Sequence, residues 1–85
     1  MTHLFPMPYE NHTLTQLARI CQADWKNIYF GAKPYLDVMR QMTNIHDKYV
    51  AEDGRSVVLY FLNNAKSWRG ETAKAVKAEL KRRLK

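Results

Sequence analysis

Hydrophobic and polar positions alternate along this chain with the period of helices. Leu14, Leu17, Ala18, Cys21, Trp25 and Ile28 recur at spacings of 3, 1, 3, 4 and 3. At about 100° per residue they share one apolar arc, with Thr15, Gln16, Arg19, Gln22 and Lys26 opposite. Thr13 followed three residues later by Gln16 is a capping box, so a first helix is predicted to start there. The pattern breaks between Asn27 and Gly31. Gly31 suits a turn, and Pro34 suits the first turn of a new helix, where its missing N–H costs nothing. Tyr35, Val38, Met39, Met42, Ile45 and Tyr49 then form a second stripe, which predicts a helix over Ala32–Ile45.

His46 to Arg55 is polar, holds Asp53-Gly54, and reads as the main loop. Val57 to Leu62 is apolar throughout. Its β-branched and aromatic residues favour a strand by propensity. A strand needs a partner, however, and only Asn27 to Phe30 offers itself. With Asp53 or Ser56 available as a cap, a third helix buried in the middle of a bundle is the favoured reading. Ser67 or Gly70 opens a fourth helix, anchored by Trp68, with Ala73, Val76, Leu80 and Leu84 as its narrow apolar face. Glu79 and Arg83 form an i,i+4 pair that suggests a solvent-facing helix. Residues 1–12 carry Pro6 and Pro8 but also Leu4, Phe5, Met7 and Tyr9, too apolar for a free tail; this arm is expected to lie across a groove between helices. The five tyrosines, Tyr9, Tyr29, Tyr35, Tyr49 and Tyr60, are read as core residues whose hydroxyls reach the surface. The expectation is an all-α domain: a small four-helix bundle over residues 13–85 with a short N-terminal arm over residues 1–12.

Eighty-five residues, 46% hydrophobic and 26% charged, leave room for one modest folded domain. That excludes a TIM barrel and a doubly wound nucleotide-binding fold. A single cysteine excludes an intrachain disulfide framework and any multi-cysteine metal site. Cys21 falls in the middle of the first apolar arc and is read as core rather than nucleophile. His3, His12 and His46 form no HxxxH or HExxH pair, and the three glycines stand singly, so no phosphate-cradling loop is written here. Glu52 and Asp53 are adjacent in a loop and suit a turn better than acid/base work. No catalytic, cofactor-binding or metal-binding residue is assigned; the chain is expected not to be an enzyme. The first residues lack a signal peptide's features, and no apolar run approaches a membrane span, so a cytoplasmic location with no membrane partner is expected.

Charge is unevenly placed. Up to Asp53, five basic residues meet six acidic ones, for −1; from Gly54 onward nine meet two, for +7, which together give the net +6. Lys74, Lys77, Lys81 and Lys85 follow one another at spacings of 3, 4 and 4, ending in Lys81-Arg82-Arg83-Leu84-Lys85. Trp68, Arg69, Lys74, Lys77, Lys81, Arg82, Arg83 and Lys85 are therefore the candidate binding surface. A solvated face with a cationic end favoured by the helix dipole explains the same pattern. The segments Trp25 to Gly31 and Ser67 to Glu71 each set aromatics beside basic residues at a helix junction, the material of a stacking surface or of ordinary corner packing; packing is the favoured reading. Neither helix pair matches a helix-turn-helix in register: Gln22 stands where the first would want its glycine.

The stretches Asp24-Trp25-Lys26-Asn27-Ile28-Tyr29-Phe30-Gly31-Ala32-Lys33-Pro34-Tyr35-Leu36 and Tyr60-Phe61-Leu62-Asn63-Asn64-Ala65-Lys66-Ser67-Trp68-Arg69-Gly70-Glu71-Thr72-Ala73 resemble small uncharacterised proteins of bacterial and phage or mobile-element genomes. The resemblance covers most of residues 14–84 and implies a bacterial-type cytosolic protein, with no activity, cofactor or site residue attached. The expected function is a non-catalytic helical interaction module whose partner is a protein, including a second copy of itself. The alternative is nucleic-acid binding through the basic C-terminal helix.

Overall fold

The computed structural model describes residues 9–45, 48–49 and 52–85. Four helices, α1 (Leu14–Asp24), α2 (Lys33–Met39), α3 (Gly54–Asn63) and α4 (Glu71–Leu84), enclose one apolar core, as the all-α reading requires. Between α2 and α3 lies a two-rung antiparallel ladder of β1 (Lys48–Tyr49) and β2 (Glu52–Asp53), pairing Lys48 with Asp53 and Tyr49 with Glu52. The arm residues 1–8, with His3, and the segment holding His46 lie outside the described residues.

The capping box at α1 forms as read. Gln16 N–H donates to Thr13 Oγ1 at 3.1 Å, and Thr13 N–H donates to Gln16 Oε1 at 2.8 Å. Leu14, Leu17, Ala18 and Cys21 are buried along the predicted arc. Burial pushes the Cys21 thiol up to about 12, which keeps it protonated and inert.

Helix α2 stops six residues before its predicted end. Gln41 and Met42 turn back on Val38 and Met39 with i→i+3 bonds, and the next carbonyls serve α1 instead. Thr15 Oγ1 donates to Met42 O at 2.7 Å, and Leu14 N–H donates to Thr43 O at 2.9 Å. Those carbonyls satisfy the head of α1 and cannot continue a helix. Met42 and Ile45 still reach the core. The apolar stripe survives; the helix beneath it does not.

The polar stretch read as one loop is cut short as well, because α3 starts at Gly54. Asp53 caps it, its Oδ1 accepting from Arg55 N–H at 3.0 Å. Val57 to Leu62 is helical, as favoured. The expectation of burial on every side fails: Val57, Val58 and Phe61 are buried, but Leu59 and Tyr60 are each 47% exposed. The tyrosines divide likewise. Tyr9 and Tyr35 pack partly against the core, whereas Tyr29 and Tyr60 are 45% and 47% exposed, and the Tyr49 side chain lies outside the described residues.

Gly70 opens α4 at φ 117°, a conformation that side chains other than glycine rarely adopt. Ala73, Val76 and Leu80 face the core as expected. An aromatic joint ties the end of α1 to the segment that precedes α4. Trp25 and Trp68 stack at 5.9 Å with 13° between their planes, and Phe61 meets Trp25 edge-on at 6.4 Å.

Candidate functional site

The structure divides the eight candidate surface residues into two sets. Arg69, Lys74, Lys81, Arg82 and Lys85 are exposed. Lys74, Lys81 and Lys85 fall within a narrow arc of α4 at about 100° per residue. Trp68 and Arg83 are engaged inside the molecule. Trp68 is 2% exposed, stacks on Trp25, and donates from Nε1 to Asp24 Oδ2 at 2.9 Å. It therefore offers no stacking face; for both tryptophans the corner-packing reading describes the observed geometry.

Lys77 lies between the two sets. Its Nζ donates to Trp68 O at 2.6 Å and sits 5.8 Å from the centroid of the Trp68 ring. Desolvation, followed by the repulsion of Lys81 and Arg69, holds its ammonium below the ordinary lysine value. Arg69 and Lys81, far apart in sequence, thus concentrate positive potential on one side of α4.

Glu79 is the residue that the helical pattern misplaced. It is 1% exposed, so its pairing with Arg83 does not mark a solvent-facing surface. Arg82 grips the carboxylate with Nε at 3.0 Å and Nη2 at 2.6 Å, and Arg83 Nε donates to the same Oε2. Arg83 Nη2 then reaches Tyr9 O at 2.9 Å and Glu10 O at 3.2 Å. Burial alone would raise the Glu79 pKa, but the hydrogen bonds from Arg82 and Arg83 outweigh it and hold the carboxyl below its usual 4.5. A carboxyl depressed in the folded state stabilises the fold above its unfolded pKa, and that contribution disappears as pH falls through the folded value. Glu79→Gln should therefore lower the denaturant midpoint near neutral pH, and the gap to the parent should close on acidification below 4.5. A gap that stays constant in urea titrations across that range would show that the charge of Glu79 does not support the fold.

Sequence reasoning passed over a second feature. Pro34, Tyr35 and Val38 of α2 and Val57 and Tyr60 of α3 line a groove of about 360 Å³ that contains no charged residue. The Tyr35 and Tyr60 rings meet there at 5.6 Å. Its signal was present in the helical wheel of α3, where Leu59 and Tyr60 fall outside the arc shared by Val57, Val58 and Phe61.

Among the described residues no group of three or more His, Cys, Asp or Glu gathers to hold a metal ion, and no buried side-chain nitrogen or oxygen lacks a hydrogen-bond partner. No described helix is long and apolar enough to cross a membrane. No protein-family model, curated protein or solved structure matches the chain.

Proposed function

We propose that the chain is a non-catalytic helical interaction module that pairs with a second copy of itself through the α2–α3 groove. The observation that carries this reading is the absence of charge from that groove on a molecule of net charge +6. Two such molecules repel wherever their cations face each other, so a stable contact uses a surface free of them. A two-fold contact applies one patch to itself. Here that patch holds both a hollow and a ridge, the half-exposed Tyr60 ring. A reducing, cytoplasmic setting fits the single thiol, which is shut inside the core.

Sedimentation equilibrium tests the proposal. The mean mass should rise with concentration, and added salt should strengthen the association by screening the net charge. Tyr60→Asp, at a position 47% exposed, should leave the circular dichroism unchanged and abolish the rise. A strict monomer at every concentration, or a dimer indifferent to Tyr60→Asp, overturns it.

A further inference from the structure

Because Trp25 and Trp68 stack, the α1–α2 and α3–α4 connections lie side by side at one end of the bundle. The tryptophans are buried, but the aromatics that follow the first of them are not. Phe30 is 76% exposed and Tyr29 45%, and their rings touch at 4.9 Å. The two rings together present a paired aromatic surface to solvent. Tyr29 is also held in place. A β-carbon at Gly31 would stand 2.6 Å from its ring and 3.0 Å from Asn64 Oδ1, so ring, backbone and amide are packed against one another.

Beside that ring a slot of about 310 Å³ is lined by Asn63, Asn64, Lys66 and Ser67. A neighbouring hollow shares Ser67 and is lined by Lys26 and Arg69, both exposed. The one carboxylate at that hollow, Asp24, is exposed and accepts the Trp68 indole hydrogen bond, so Lys26 and Arg69 together outweigh it by one charge. This end of the bundle thus combines aromatic faces, the exposed Asn63 amide beside that of Asn64, which also donates to Tyr60 O at 2.8 Å, a hydroxyl, and three exposed cations. A planar heterocycle on a phosphodiester chain uses all of these: rings stack on its face, amides pair with its edge, and cations follow its phosphates. An apolar peptide would leave the amides unpaired, and an acidic helix would make no use of the rings.

We propose that this end binds single-stranded nucleic acid, with a base seated against Tyr29 and Phe30 in the Asn63–Asn64 slot and the backbone along Lys66, Arg69 and Lys26. Bases stacked inside a duplex cannot enter the slot, so the surface discriminates against double strands. Lys74 and Lys81 extend the same positive field along α4 without touching the base.

Fluorescence anisotropy of labelled oligothymidine, oligouridine and a duplex of equal length, titrated with the full chain at low and rising salt, tests this. Both single strands should bind more tightly than the duplex. Phe30→Ala, at a position too exposed to endanger folding, should weaken single-strand binding about tenfold. Lys66→Ala with Arg69→Ala should flatten the log–log salt dependence by about 1.4, at about 0.7 per phosphate contact on single strands. Lys81→Ala with Lys85→Ala should leave the preference for single strands intact. No binding at low salt overturns the proposal. So does duplex binding that equals single-strand binding and ignores Phe30→Ala, or a loss confined to the Lys81/Lys85 variant, which would assign the contact to α4 instead.

Discussion

Replacing Trp68 with alanine should cost about 3–5 kcal/mol, the range for removing a large aromatic side chain from a packed core. Small domains hold about 5–15 kcal/mol in all, so the variant should lose a large share of its stability. Three losses coincide at this residue. The ring stacks on Trp25, its Nε1 donates to Asp24, and the ordered backbone beneath it presents the carbonyl that Lys77 Nζ binds. Trp68→Phe separates them, because it keeps an apolar ring but removes the bond to Asp24, whose exposed carboxylate turns to water instead; about 0.5–1.5 kcal/mol is expected for the bond. Chemical denaturation followed by far-ultraviolet circular dichroism measures both. An alanine variant within about 1 kcal/mol of the parent would mean that the two tryptophans do not form the joint between the halves of the bundle.

Alanine at Gly54 should also destabilise, against the direction that helix propensity suggests. Gly54 is the first residue of α3, and propensity alone would favour alanine there by at most about 1 kcal/mol. The surroundings reverse the sign. A β-carbon would stand 2.4 Å from Ile45 O, 2.8 Å from Ile45 C and 3.1 Å from its Cα. These are backbone atoms, which cannot swing aside as a side chain can. Either α3 or the segment that follows α2 must move, and overpacking of this kind costs about 1–3 kcal/mol. The same denaturation measurement decides, and a variant more stable than the parent would show that the two segments part easily.

These two sites mark where the fold could be read from the sequence and where it could not. Helix α1 was legible because its signals are local: the capping box and the apolar arc lie within a few residues of the atoms they organise. The end of α2 was not, since the apolar stripe through Met42 and Ile45 continues while the Met42 and Thr43 carbonyls are taken by α1, 27 residues away in the case of Thr15. For α3, composition pointed to full burial, yet the wheel already set Leu59 and Tyr60 apart. Glu79 misled for a different reason. Its i,i+3 and i,i+4 partners look the same on a solvated helix as on a buried one; what distinguishes them is the material packed over the carboxylate.

The candidate surface followed the same rule. A row of cations is visible in any sequence, but whether each is free depends on distant groups. Trp68 is claimed by Asp24, 44 residues away, and Arg83 by Tyr9, 74 residues away. Arg69, Lys74, Lys81, Arg82 and Lys85 remain exposed, although Arg82 also serves Glu79. The slot beside Tyr29 could not be seen at all before the two connections were brought together, because its walls come from segments more than thirty positions apart.

The clasp made by Arg83 has a mechanical consequence. One guanidinium grips the acid a turn behind it and the main chain at Tyr9 and Glu10, so the outermost coil and the bend at Tyr9–Glu10 are latched by a single hook. Clipping the tail just before Arg83 would loosen both margins of the molecule together, and would leave the enclosed Glu79 held by Arg82 without its second counter-charge.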